Sequence, residues 1–470
     1  MQIMKKWIQE NIKGKKVLIL GFGREGKSTY SVVRQIGGYE ELGISDRNPV
    51  DVREADVKLY IGEDYQKCLP DYDIVIKSPG IVLEKDPSAY AYRLLSQTEI
   101  FFSCYGSKLI GITGTKGKST TTTLLHHILK QAGRDAILAG NIGIPAFDIA
   151  GQVKPSSVIV FEMSSHQLEY MTVSPKIGVF LNVHEEHLDH YGTMEKYVAA
   201  KQNIYKNQTA GDLLYCNIDN MPLQCESEVV VLKHFQEEDA YREYLADEKG
   251  WLQSIQENYP YTCRAVLGVY ENQIHYQGHT LVLPVEEIPL VGSHNYFDIG
   301  VDYGICQEYG IDDQLFLSGV KTYETLPHRL QYVGTYDGIR YYDDSISTIC
   351  DTAIQALSSV KDADTILIGG MDRGIDYTEL IDFLDVHPIS HIILMEATGE
   401  RIYQEIQARR ETFRKPERIL LVKHLEDAVR KAKEVTQKSK SCILSPAAAS
   451  YGIFKDFNQR GEAFQMLIKQ

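Results

Sequence analysis

Residues 111–123 read GITGTKGKSTTTT, and the fold follows from how this stretch is parsed. The apolar run Lys108-Leu109-Ile110-Gly111-Ile112 reads as a short buried strand. It breaks into Gly114-Thr115-Lys116-Gly117-Lys118-Ser119, and from Thr120 to Gln131 apolar residues recur at helical spacing. Strand, glycine turn and helix in that order form a phosphate cradle. Backbone N–H groups and the helix N-terminus face a polyphosphate, Lys118 supplies a compact positive charge, and Ser119 offers a hydroxyl to Mg²⁺. The strict G-x-x-x-x-G-K-[ST] spacing is not met, because position 112 is Ile and the nearest glycines are Gly111 and Gly114. The loop is a variant. The plain alternative, a glycine turn capping a helix, is disfavoured by GK[ST] standing directly between strand and helix.

The surroundings narrow the class. At 470 residues the chain is long enough for about three domains, with 43% hydrophobic and 24% charged residues, as in ordinary globular proteins. Its 64 acidic against 49 basic residues give a net charge of −15, which speaks against a nucleic-acid partner. No apolar run reaches the roughly 18 residues of a membrane span, and MQIMKKWIQENIKGKK is too polar for a signal peptide. Eight scattered cysteines without a C-x-x-C pair read as reduced core thiols in a cytoplasmic protein.

Upstream, Lys15–Leu20 (KKVLIL) reads as a buried strand, followed by Gly21-Phe22-Gly23-Arg24-Glu25-Gly26 and a helix from Lys27. A second strand ends at Asp46, 20 residues after Gly26, where a dinucleotide-binding domain keeps its ribose-binding acid. Alone, this favours an NAD enzyme. Arg24 and Glu25 within the loop, Arg47-Asn48 after the acid, and a second phosphate loop downstream point instead to another nucleotide. A third strand, from Ile74, runs into the turn Ser78-Pro79-Gly80-Ile81.

Downstream, Gly140-Asn141-Ile142-Gly143 is a glycine-bracketed turn, and the strand Val158–Phe161 delivers Glu162 at its carboxyl end, where a phosphate-binding sheet holds Mg²⁺. Strand Ile177–Leu181 leads into Asn182-Val183-His184-Glu185-Glu186-His187-Leu188-Asp189-His190. Three histidines at three-residue intervals tempt a zinc reading, yet they drift around a helix and do not converge. One histidine reaching nucleotide-bound Mg²⁺ is the stronger expectation. In the helix Tyr197–Tyr205, Lys201 stands among small and apolar residues; a surface lysine is the plain reading. A desolvated one would be nucleophilic when neutral and could take up carbon dioxide as a carbamate. Residues 206–290 are less informative, with short strands and an acidic helical stretch near 236–249, and a helix starts around Gly292–Asp298. From Leu326-Pro327-His328-Arg329 a fresh α/β pattern opens, with strands at 339–342, 365–368, 392–395, 419–422 and 442–444. Their ends carry Asp343-Asp344-Ser345, Gly369–Gly374 and Ser445–Ser450, chemistry suited to a polar anionic ligand.

With these parts read, the chain resembles the Mur ligases. The resemblance rests on SPGI at 78–81, GNIG at 140–143, E-x-SS-x-QLE at 162–169, NV-x-E-x-H-x-D at 182–189 and AAK-x-x-IY at 199–205. HN at 294–295, LPHR at 326–329 and SPA-x-AS-x-x-x-FK-x-F-x-x-RG at 445–461 complete it. The family's own loop, G-T-x-G-K-[ST], accounts for the variant spacing. The resemblance implies three α/β domains: an N-terminal Rossmann-like domain binding a UDP-linked substrate (1–104), a central, mostly parallel ATP-binding domain (105–322), and a C-terminal Rossmann-like domain binding an amino acid and closing on ATP (323–470).

LPHR and the C-terminal run point to the members that add glutamate, D-glutamate favoured, to UDP-N-acetylmuramoyl-L-alanine in the cytoplasm. By the same resemblance Gly23, Arg24, Glu25, Asp46, Arg47, Ser78 and Gly80 surround the UDP moiety, and Asn141 approaches the reacting centre. Gly114, Thr115, Lys116, Gly117, Lys118, Ser119 and Thr120 hold the ATP phosphates, with Asn295, Arg329 and Asp344 reaching the nucleotide. Ser119, Glu162, His187 and a carbamylated Lys201 attend about two Mg²⁺. Lys118, His187, Lys201 and Asn141 are the catalytic candidates, and Thr348, Arg373, Ser450 and Phe457 line the incoming glutamate. A monomer without membrane or nucleic-acid partners is implied.

Departures stand out. The family's D-S-K-x-T-N is Asp344-Ser345-Ile346-Ser347-Thr348-Ile349 here, Asp298 replaces an asparagine, and Arg24-Glu25 replace a less charged pair. The competing expectations are ligation of L-glutamate or another acidic amino acid, an NAD-dependent oxidoreductase built on residues 17–46, and a non-catalytic nucleotide-binding regulator.

Overall fold

The computed structural model describes residues 1–89, 91–141, 144–409, 411–414 and 418–470, apart from the side chains of Ala89 and Asp189. Ile142 and Gly143 of the glycine-bracketed turn fall outside the described residues, as does the Asp189 side chain.

Apolar runs buried on both faces form three largely parallel sheets, as crossover helices require. The first holds β1 (Lys16–Leu20), β2 (Glu41–Asp46), β3 (Val57–Ile61), β4 (Ile74–Lys77) and β5 (Arg93–Leu95) in the order β3-β2-β1-β4-β5. Chain order reverses between β1 and β4, and a crevice opens outside their carboxyl ends. Gly21, at φ +89°, starts the glycine loop there, and the Ser78 hydroxyl donates to its carbonyl at 3.0 Å. Gly26 has to be glycine, since a Cβ would stand 2.0 Å from the Gly21 oxygen.

The second sheet comprises β6 (Leu109–Thr113), β7 (Ala136–Gly140), β8 (Val158–Glu162), β9 (Ile177–Phe180), β10 (Leu213–Asn217), β11 (Glu228–His234), β12 (Cys263–Tyr270), β13 (Gln273–Tyr276) and β14 (His279–Val282). The order is β14-β13-β12-β11-β10-β9-β6-β8-β7, with β13 and β14 antiparallel additions at one edge. β6 lies between β8 and β9, pairing Ile112 with Glu162 and Thr113 with Phe180. Three chemistry-bearing segments therefore leave the sheet side by side.

The third sheet comprises β15 (Gln331–Tyr336), β16 (Ile339–Asp343), β17 (Ala363–Gly369), β18 (His391–Met395), β19 (Ile419–Val422) and β20 (Ser441–Leu444), in the order β15-β16-β20-β17-β18-β19. All expected strands of this region are present. β15 is additional: a half-exposed antiparallel edge strand whose residues show no apolar alternation.

By contact the chain divides into two compact units, residues 1–284 with 294–321, and residues 285–293 with 322–470. The first carries the first two sheets, and the expected boundary at 104 falls inside it. No helix among the described residues is long and apolar enough to cross a membrane, and all eight cysteines are free thiols, six of them buried.

Candidate active site

The phosphate loop joins β6 to the helix Lys118–Gln131. Gly117 caps that helix at φ +84°, a conformation costly for other residues, and a Cβ there would meet the buried Asp298 carboxylate at 2.6 Å. The Lys118 ammonium donates to the Thr115 carbonyl at 2.8 Å, folded back over the loop. Asn182, just past β9, shapes the loop from the side. Its Oδ1 accepts from the backbone N–H of Thr115 (3.1 Å) and Lys116 (2.8 Å), and its amide donates to the Lys116 carbonyl at 3.0 Å. Thr120 is buried, while Lys116 and Ser119 are half-buried at the mouth.

Lys201 lies in the helix Met194–Gln202 and is 1% exposed, so the surface-lysine reading is overturned by packing. Its Nζ donates to the Gly114 carbonyl at 2.7 Å. Burial first, and then the nearby Lys118 charge, hold its pKa well below the ordinary lysine value. One helical turn back, the Tyr197 ring lies 4.8 Å from Nζ, and its hydroxyl stands 3.1 Å from Thr115 Oγ1 and 3.4 Å from Glu186. Tyr197 was not singled out in the sequence, although Tyr197 and Lys201 share a helix face at i, i+4.

Glu162 is buried at the end of β8. Its Oε1 accepts from the Asn141 amide at 3.0 Å, whereas Oε2 has no hydrogen-bond partner among the described residues. His187 is 42% exposed at φ 57°, its ring 4.8 Å from that of His166 and 6.1 Å from that of Tyr197. His190 packs on the same His166 ring at 4.3 Å, so the histidine-rich segment closes around His166 edge to face. Among the described residues no three His, Cys, Asp or Glu side chains form a metal-holding group. Mg²⁺ needs only one or two protein oxygens beside phosphate and water, and the orphaned Glu162 oxygen next to the Ser119 loop fits that demand.

In the first sheet, Gly23, Arg24 and Gly80 are exposed at the crevice. Asp46 accepts from the backbone N–H of Phe22 at 2.6 Å and of Asn48 at 2.7 Å, holding the glycine loop, and Arg47 forks onto Glu63 at 2.8 and 2.9 Å. Glu25 Oε1 is 3.4 Å from the Gln167 amide, and burial raises its pKa. Asn295 is half-buried in the helix Ser293–Glu308.

The second unit brings its own candidates together at the ends of β16, β17 and β20. Asp344 is buried and fully engaged, accepting from Leu330 N–H at 3.0 Å and from the Ser347 and Ser445 hydroxyls; burial raises its pKa to about 6. It braces the LPHR turn, in which the Arg329 Nε is buried without a hydrogen-bond partner among the described residues. Arg373 donates to the Thr348 carbonyl at 2.7 Å, laying an exposed guanidinium beside the segment where Ile346 and Ile349 replace the family's polar residues. Ser450 is buried. The Phe457 carbonyl accepts from Ser345 at 2.8 Å. Arg460, unassigned from sequence, is 0% exposed and bonds Ser345 Oγ (3.1 Å), the Ser345 carbonyl (2.9 Å) and the Ala448 carbonyl (2.9 Å).

Residues 112–296 match the Mur ligase middle domain. The chain is 31% identical to the UDP-N-acetylmuramoylalanine–D-glutamate ligase of Caldanaerobacter subterraneus subsp. tengcongensis, over 97% of this chain and 98% of that protein. It is 30% identical to the enzyme of the same name from Lachnoclostridium phytofermentans, over 97% and 98%. Among solved structures, MurF from Acinetobacter baumannii shares the fold with a TM-score of 0.56 at 14% identity, covering 98% of this chain and 92% of that one.

Proposed function

Because the chain belongs to the Mur ligase family of ATP-dependent ligases, we propose that it joins D-glutamate to UDP-N-acetylmuramoyl-L-alanine in the cytoplasm. The observation that carries this reading is Lys201, buried and bonded to the phosphate loop, one strand from the unpartnered Glu162 oxygen. That grouping serves a triphosphate held beside a cation, and gives the NAD alternative no use for the loop. The named substrates are supported by the glutamate ligases to which the whole chain is similar.

In this reading the alanyl carboxylate attacks the γ-phosphorus, forming a C–O–P link as the bond to ADP breaks. The glutamate amine then attacks the acyl carbon, the nitrogen gives up a proton to solvent, and inorganic phosphate leaves with the electron pair. Glu162, Ser119 and His187 would hold Mg²⁺, which would supply positive charge to offset the meeting of two anions. Lys118 stabilises the charge developing on the transferred group. Lys201, whose charged form burial disfavours, adds carbon dioxide through its neutral amine with loss of a proton and becomes an anionic carbamate beside Gly114. Asn141 keeps Glu162 oriented. In the second unit, Arg373 takes a carboxylate of the amino acid.

Phosphate release with UDP-N-acetylmuramoyl-L-alanine, ATP and either glutamate enantiomer tests the assignment. Release that requires all three, with D-glutamate preferred, is expected; nicotinamide reduction or no release overturns it. Lys118→Ala should abolish turnover, and near-normal release from that variant removes its assigned role.

A further inference from the structure

Three titratable side chains outside the phosphate loop form one cluster: Lys77 at the end of β4, Glu169 after the helix Ser165–Leu168, and His190 in the helix Leu188–Tyr191. They are 4%, 16% and 8% exposed. Glu169 Oε2 is shared. It stands 3.2 Å from His190 Nε2, a hydrogen bond, and 3.8 Å from Lys77 Nζ, an ion pair too long for one. Among the described residues Lys77 makes a single hydrogen bond, to the Pro79 carbonyl at 3.0 Å, although an ammonium has three N–H groups. Burial, opposed by Glu169 and Glu25, lowers its pKa to about 8. Lys77, Pro79, His166 and Tyr170 line a cleft, so the under-bonded cation borders its opening next to the Ser78-Pro79-Gly80 turn. On the far side, the ring contacts His190–His166 and His166–His187 lead from Glu169 to the candidate metal ligand.

One carboxylate thus has two partners, one at the end of a strand of the first sheet and one in a helix that follows β9 of the second. An anion entering the cleft supplies Lys77 with hydrogen bonds that Glu169 does not give, and weakens the pull of Lys77 on Glu169. Glu169 is then left to His190, and in a poorly screened interior such an exchange moves the hydrogen-bonded ring and those packed edge to face against it. We propose that Lys77, Glu169 and His190 form a relay through which an anionic group of the UDP-linked substrate, bound in this cleft, fixes His187 and tightens metal–nucleotide binding. The inference rests on the function proposed above. Glu169 and His190 are positioning residues in it, acting through His166 and His187.

Coupling between two sites is reciprocal and amounts to a fivefold or larger change in affinity when it is of ordinary size, about 1 kcal/mol or more. The test is calorimetric binding of a Mg²⁺–non-hydrolysable ATP analogue to the full chain, with and without UDP-N-acetylmuramoyl-L-alanine. The wild type is expected to bind the nucleotide about fivefold tighter with the substrate present. Lys77→Met, which leaves Glu169 to His190, should bind the nucleotide tightly without substrate and gain little from adding it. Glu169→Gln should bind it weakly in both cases. Lys77→Met with an unchanged coupling ratio overturns the relay, and decides the matter even where Glu169→Gln fails to fold. A wild type that binds both ligands without coupling overturns it too. A wild type that does not bind the UDP substrate at all overturns the function, and the relay with it.

Discussion

Lys201 shows how far one side chain depends on what surrounds it. A lysine among Ala199, Ala200 and Ile204 is ambiguous along the chain, and its 1% exposure comes from the Gly114 and Tyr197 side of the fold. Its depressed pKa leaves the amine neutral at lower pH than an exposed lysine, which is the form that adds carbon dioxide. Lys201→Ala is expected to lose phosphate-release activity by about 100-fold or more and to regain part of it with added short carboxylates, which place an anion in the vacated space. Full activity of the variant without them removes the carbamate. Glu162 is the opposite case, since a carboxylate at a strand end beside a phosphate loop is legible from order alone, and the structure adds the Asn141 bond to one oxygen and the lack of a partner among the described residues for the other.

Among the elements, the loop is held by a residue outside it. Asn182 satisfies two loop N–H groups and one carbonyl, so Asn182→Ala leaves three polar groups without that partner, at a cost of about 1–3 kcal/mol. The expected result is a raised KM for ATP with the affinity for the UDP substrate unchanged; equal changes in both refute a local role. In the second unit the LPHR turn depends on His328, buried at φ 61° with Nδ1 2.7 Å from Asp343. Gly461 makes room for that ring, since a Cβ there would stand 2.1 Å from Nδ1. The hydrogen bond to Asp343 raises the His328 pKa against the effect of burial. A raised base stabilises fully below its unfolded pKa of about 6.5, and that contribution is lost as pH rises through the folded value. The fall in Tm caused by His328→Gln should therefore be larger at pH 6 than at pH 9. An equal fall at both pH values shows that the ring is neutral throughout.

At the scale of the whole molecule, three sheets share one device: the candidate site residues collect where a strand sits between neighbours of different chain order. In the third sheet Arg460 ties the loops after β16 and β20 through a guanidinium with no exposed surface. Arg460→Met leaves those buried carbonyls unsatisfied and should destabilise the second unit by about 3 kcal/mol, read as a lower Tm in calorimetry; an unchanged Tm refutes the bracing role. The sequence alone determined the strand–loop–helix around Gly114–Ser119, the glycine loop after β1 and most strands of the third sheet, because backbone freedom at glycine, helix start and apolar run are properties of adjacent residues. Strand β15 escaped it, being half-exposed and without alternation. Only the tertiary structure decided that Lys201 is buried, that Tyr197 and Asn182 shape the loop, and that Asp344 and Arg460 brace the third sheet's loops. Each of those depends on which strands become neighbours, and desolvation is set by atoms brought close from distant positions in the chain.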